Sequence, residues 1–273
     1  MDEERKKLCI IGFTDYTPYG DAAIAHALAL SMIFRAELYI MPLLEQQQTH
    51  SDVFKNVLNT ANQQNITVTH YPTCPPLRKE IYSFAEENDV ILMVIGVSKN
   101  KKTSFFTPRK ALSFIKKSRA PVLAVGKTLP VPHAYKDIVL PLDSSVYSKE
   151  KSLWASYFSR YYRSYIHVLY KNYKDPFLKH KLKENVGFTE KLYTNLEVLF
   201  KKHQVADMGE DIDSYACTFA ETVNASLVLS MTTKYLNLFD MILGTKEKRT
   251  IKYIDKIPYL YINQRDDLYV LCT

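Results

Sequence analysis

Residues 10–31, IIGFTDYTPYGDAAIAHALALS, and residues 138–159, IVLPLDSSVYSKEKSLWASYFS, share a plan with few letters in common. Each begins with an apolar run, reaches an aspartate (Asp15, Asp143), sets a small hydroxyl residue two positions on (Thr17, Ser145) and enters a helix-like pattern. A plan written twice points to a duplicated unit.

Outward from the first copy, LCIIGF (8–13) is a β-prone apolar run. Helical spacing follows from Asp21 to Phe34, and AELYIMPLL (36–44) is strand-like again. Residues 50–64 then read as a helix, ITVTHYP (66–72) as a strand, 76–88 as a helix, and VILMVIG (90–96) as an apolar strand covered on both faces. A helix over 110–118 and a strand, PVLAVG (121–126), close the half. The second half replays the order. It reads as strand 136–142, helix 147–162, strand 164–170, a long helix or helix pair over 175–203, a weak strand QVADMG (204–209), helix 211–223, strand 226–230, a helix within 238–254 and strand 258–263. KTLPVPHAY (127–135) reads as a linker between domains 1–128 and 136–273. Apolar strands alternating with helices imply right-handed βαβ units. The expected architecture is α/β, two tandem doubly wound domains with mainly parallel five-stranded sheets.

A chain of 273 residues with 47% hydrophobic content suits one large domain or two smaller ones. No apolar run reaches the roughly 18 residues of a membrane span, and MDEERKKLCII does not open like a secretory leader. Cys9, Cys74, Cys217 and Cys272 have no C-x-x-C spacing, so reduced thiols in a cytoplasmic protein are expected, with Cys9 in the core. The net charge of +7 comes largely from lysine runs at 99–102, 116–117, 179–183, 201–202 and 246–249. These stand mostly beside acidic or apolar residues, as on a solvated surface. A polyanion-binding face is the competing reading, but no helix-turn-helix, zinc-finger or aromatic RNA-binding pattern accompanies the charge. Membranes and nucleic acids are therefore not the expected partners.

The order of elements and their anchors resemble the universal stress proteins in their tandem two-domain form. The resemblance rests on Asp15 and Asp143 after each first strand, on Ala36-Glu37 leading the second strand, and on FIKKSRAPVLAVG (114–126), which is close to that family's helix-to-last-strand ending. YIDKIPYLYIN (253–263) is a looser version. It implies the adenine nucleotide alpha hydrolase-like fold, with halves related by a pseudo-two-fold axis. It also implies that PVLAV (121–125) and PYLYI (258–262) pair antiparallel within the chain, covering two apolar sheet edges.

Members of that family that bind ATP resemble a pattern in which one glycine ends the fourth strand, a second follows three residues on, and a Gly-Ser or Gly-Thr pair comes about ten residues later. Backbone amides must approach phosphate oxygens closely there, and a Cβ would obstruct them. In the first half Gly96 and Ser98 remain, but no second glycine follows and Pro108-Arg109 replaces the pair. In the second half Met231 and Lys234 replace the two glycines, while Gly244-Thr245 falls at the expected distance. Two readings stay open for Gly244-Thr245, a phosphate contact or a helix boundary. Two also stay open for Asp143 and Asp15, an adenosine-side contact or a cap on the following loop.

His70 and Cys74 lack further ligands at metal spacing, Ser144-Ser145 lack the G-x-S-x-G elbow, and the P-loop and Rossmann glycine patterns are absent. WASYFSRYYRSY (154–165) reads as core or a subunit contact, with a ligand-stacking wall as the competing reading. The expected function is that of a non-enzymatic cytoplasmic stress-response protein with degenerate nucleotide motifs, acting on a protein partner or sensing a small ligand. The alternative is weak binding of ATP or another adenine nucleotide by the C-terminal half, with slow hydrolysis. A homodimer of the tandem unit is a secondary expectation.

Overall fold

The computed structural model describes residues 8–44, 51–71, 79–100, 104–131, 134–206, 211–232, 248 and 250–263. The chain divides into two compact units, Met1–Pro130 with Ile254–Lys256 and Val131–Tyr253 with Ile257–Thr273. The break between Pro130 and Val131 falls inside the proline-bearing stretch 127–135.

Unit 1 runs β1 (Cys9–Thr14), α1 (Pro18–Phe34), β2 (Glu37–Pro42), α2 (Asp52–Gln63), β3 (Val68–His70), α3 (Lys79–Glu87), β4 (Val90–Gly96), α4 (Pro108–Ile115) and β5 (Val122–Val125). The sheet order is β3-β2-β1-β4-β5 with every neighbouring pair parallel. α1 starts three residues before the periodic pattern does. Pro18 sits in its first turn, where no amide is needed, and the Thr17 hydroxyl accepts from the Tyr19 and Gly20 amides. It ends at Arg35 in the left-handed region, φ 50. Ala22, Ala23, Ile24, Ala27 and Leu30 are all fully buried. A Cβ on Gly12 of β1 would stand 2.9 Å from the Ala27 Cβ, so the glycine lets helix and strand approach closely.

Unit 2 runs β6 (Asp137–Leu142), α5 (Ser148–Tyr162), β7 (Tyr165–Lys171), α6 (Pro176–Asn195), β8 (Phe200–Val205), α7 (Ile212–Thr222), β9 (Leu227–Met231), a 3-10 turn (Ile251–Tyr253) and β10 (Tyr259–Ile262). Its order is β10-β9-β6-β7-β8, again parallel throughout. In each unit the chain steps from the first strand to one side and later returns to the other. The order reverses between β1 and β4 and between β6 and β9, and the carboxyl ends of those strands border the crevice where doubly wound sheets take ligands.

Two expectations for unit 2 are corrected. The helix expected over 175–203 stops at Asn195, where Glu197 at φ 53 turns the chain, and the weak strand expected at 204–209 lies instead at Phe200–Val205. Among the described residues FKKHQV pairs with β7 alone, so its polar outer positions carry no apolar signal. The helix expected within 238–254 lies mostly outside the described residues. On α5, Phe158 is buried against Tyr135 at 5.2 Å, whereas Tyr157 and Tyr161 are exposed. No helix among the described residues is long and apolar enough to cross a membrane.

Candidate functional site

In unit 1 the chain leaves β1 through Asp15, which is only 5% exposed. Its Oδ1 accepts from the Thr17 amide (3.2 Å) and the Thr17 hydroxyl (2.6 Å). Its Oδ2 accepts from the Ser104 hydroxyl (2.9 Å) and the Phe105 amide (2.6 Å). Both oxygens are thus engaged, and two of the four donors come from the segment joining β4 to α4. Hydrogen bonds to an ionised carboxylate are among the strong ones, so this contact ties the two loops together. Between them Tyr16 takes the left-handed φ of 57, held by its amide donating to Thr14 Oγ1 at 3.1 Å. Such a backbone costs about 1 kcal/mol in a residue other than glycine.

Gly96 ends β4 beside this contact. A Cβ there would stand 2.1 Å from the Tyr19 carbonyl oxygen, so the first turn of α1 explains the glycine. Ser98 is buried, its hydroxyl accepts from the Asn100 amide (3.1 Å), and its own amide donates to the Phe106 carbonyl (3.0 Å). Pro108 opens α4, whose cap is the Thr107 hydroxyl. Asp15, Gly96 and Ser98 therefore meet at one place, each engaged with its own chain. Asp21, on the first turn of α1, is buried, and that burial raises its pKa, with the Asp15 charge adding to the effect.

Unit 2 arranges the matching loop differently. Asp143 is half-buried, and its Oδ1 accepts from the Ser145 amide (3.1 Å) and the Ser148 hydroxyl (2.5 Å). Both contacts fall within five residues, as in a loop cap. The loop is also gripped from α6, where the Asn185 side-chain amide donates to the carbonyls of Asp143 (2.9 Å) and Ser145 (2.7 Å). Below Asn185, the Thr189 and Ser152 hydroxyls meet at 2.7 Å, and Tyr193 donates to the Ser152 carbonyl at 3.1 Å. Lys151 is fully buried, with its ammonium donating to the Pro141 carbonyl at 2.5 Å. Met231 is buried at the end of β9, and Lys234, Gly244 and Thr245 lie outside the described residues.

Ser104, Phe105, Asn185 and Lys151 belong to no motif and were missed in the sequence. A signal existed for one group. Ser148, Ser152 and Ser156 on α5 and Asn185, Thr189 and Tyr193 on α6 recur every fourth residue, and two such polar stripes can face each other between helices. Among the described residues no group of three or more His, Cys, Asp or Glu could hold a metal ion. Cys9 and Cys217 are buried thiols, and Cys74 lies outside the described residues.

Each unit is a doubly wound α/β domain whose candidate site lies at its topological switch point. No family model matches the sequence, and no curated protein matches it. Solved structures do. A universal stress protein from Archaeoglobus fulgidus DSM 4304 matches with a TM-score of 0.68 at 12% identity, over 94% of this chain and 98% of that one. A functionally unknown protein from Pseudomonas aeruginosa PAO1 matches with a TM-score of 0.65 at 12% identity, over 96% and 95%. The protein thus has the fold of the universal stress proteins in their tandem, two-domain form.

Proposed function

We propose that this chain is a cytoplasmic stress-response protein that works through protein contacts or small-ligand sensing rather than catalysis, and that unit 1 has given up nucleotide binding. What supports this reading is the Asp15 carboxylate, whose two oxygens take all four hydrogen bonds from Thr17, Ser104 and Phe105. The segment after β4 would have to turn its amides toward a phosphate in a nucleotide binder. Here its Phe105 amide is already spent on an internal anion, and a second anion placed beside a buried carboxylate would be repelled.

A second reading, weak adenine-nucleotide binding by unit 2, is favoured by Asp143 being half-buried where Asp15 is 5% exposed. Calorimetric titration with ATP tests both. Binding weaker than about 100 μM, or about −5.5 kcal/mol, is expected, unchanged by Asp15→Ala and reduced by Asp143→Ala. Micromolar affinity that disappears in the Asp15 variant would overturn the proposal.

A further inference from the structure

Unit 2 carries a chain of titratable groups away from the candidate site. Asp137 Oδ1 lies 3.1 Å from His167 Nε2, and His167 Nδ1 lies 3.3 Å from His203 Nε2. The three residues stand on β6, β7 and β8 in turn. His167 is 9% exposed. Phe219 of α7 covers both imidazoles, with ring centroids 5.9 Å from His167 and 4.9 Å from His203, and Tyr215 stacks on Phe219. Tyr165 packs edge-on against His167 at 5.0 Å. The charged groups on these strands are Asp137 on β6 and Lys201, which pairs with His167 from β8, and α7, which also carries Asp213 and Glu221, lays the Phe219 ring over the imidazoles with Tyr215 behind it.

Counting protons defines what this chain can do. With both imidazoles neutral, His203 donates Nε2–H to His167 Nδ1, and His167 donates Nε2–H to the carboxylate, so both bonds are made. One added proton binds His203 Nδ1 while the Nε2 proton passes to His167 Nδ1. The positive charge then rests between the Asp137 carboxylate and a neutral His203, and both bonds survive. On the imidazoles a second proton has only His203 Nε2 left to bind. Two N–H groups and two positive charges then face each other across a distance that held one hydrogen bond, with Lys201 adding a third charge.

We propose that Asp137, His167 and His203 form a proton-operated latch that holds the outer strand β8 to its sheet, closed with no or one added proton and opened by the second. Among the described residues β8 pairs on one side, with β7, and its further ties run to α6, through Lys202 to Glu190 at 2.5 Å and Phe200 to Tyr193 at 5.4 Å between ring centroids. Burial, followed by the charges of His167 and Lys201, lowers the pKa of His203, which places the opening step below the ordinary histidine range.

The test is amide hydrogen exchange of the intact protein between pH 7 and pH 4.5, corrected for intrinsic rates, with imidazole nitrogen resonances followed by NMR. Protection of the β8 amides relative to those of β9 should fall about 10-fold or more on acidification. The imidazole nitrogen resonances should show the pair taking up its two protons in separate steps. His203→Gln keeps a donor toward His167 Nδ1 and cannot take a proton, so its β8 protection should not change with pH. The proposal is overturned if wild-type β8 protection is independent of pH, if His203→Gln loses protection as the wild type does, or if the two imidazoles titrate independently. The titration reads the wild-type protein alone and decides the matter even where the variant does not fold.

Discussion

Asp15 Oδ2 lies 2.6 Å from the backbone nitrogen of Phe105, ninety positions along the chain. A side chain that follows the first strand thus closes the loop that follows the fourth. Asp15→Ala would leave the Phe105 amide and the Ser104 hydroxyl without this partner. A buried donor so orphaned costs about 1–3 kcal/mol, and the variant should lose about 3 kcal/mol in denaturant unfolding. Asp143→Ala removes the contacts with Ser145 and Ser148 and should lose about 1 kcal/mol. Equal losses would show that Asp15 does not join the two loops.

Two glycines should respond to alanine in opposite directions. At Gly96 the new methyl would stand 2.1 Å from the Tyr19 carbonyl oxygen, so α1 must shift, and a loss of about 3 kcal/mol or more or insoluble protein is expected. At Gly187, inside α6, a Cβ meets nothing within 4 Å. Gly187→Ala should stabilise by about 0.5–1 kcal/mol through helix propensity. Thermal melts of the two variants check both signs.

His26 sets a pH dependence in unit 1. Burial lowers its pKa from 6.5 to about 4, against a smaller opposing effect of its contact with the Thr128 carbonyl at 3.1 Å. The folded state binds fewer protons than the unfolded chain between these values, so stability rises with pH across that window. The full contribution is present above pH 6.5 and is lost as pH falls toward 4. At about 1.4 kcal/mol per pH unit the loss is about 3 kcal/mol. Urea midpoints measured from pH 7 to 4 should fall for the wild type, and His26→Gln should flatten that slope.

Asn185 should matter more than its place in an unremarkable helix suggests. It is 3% exposed and donates to two carbonyls of the Asp143 loop. Asn185→Leu would leave both half-buried carbonyls without this donor, at about 1–2 kcal/mol, and should speed proteolysis at residues 143–147. Unchanged cleavage there would show that the loop keeps its shape without the clamp.

The architecture was legible because it rests on local periodicity. VILMVIG (90–96) is continuous and apolar since β4 is flanked by β1 and β5, and the structure returns it as Val90–Gly96. In FKKHQV the sequence reads residues 200–203 as the end of a helix or helix pair and 204–205 as the start of a weak strand, because an outer strand with polar outward positions has no apolar run to announce it. The same division runs through the site. Asp15 and Asp143 stand out as the repeated anchors of a duplicated plan, and the missing glycines are visible by counting. What the two aspartates do was decided by tertiary structure alone, because a carboxylate takes its role from the donors folding brings to it. Ser104 and Phe105 reach Asp15 across about ninety positions, whereas the Asp143 carboxylate accepts from Ser145 and Ser148 just after it. The Asp137–His167–His203 chain is invisible in sequence for the same reason, since its members lie thirty or more residues apart and meet only where neighbouring parallel strands bring them onto one face.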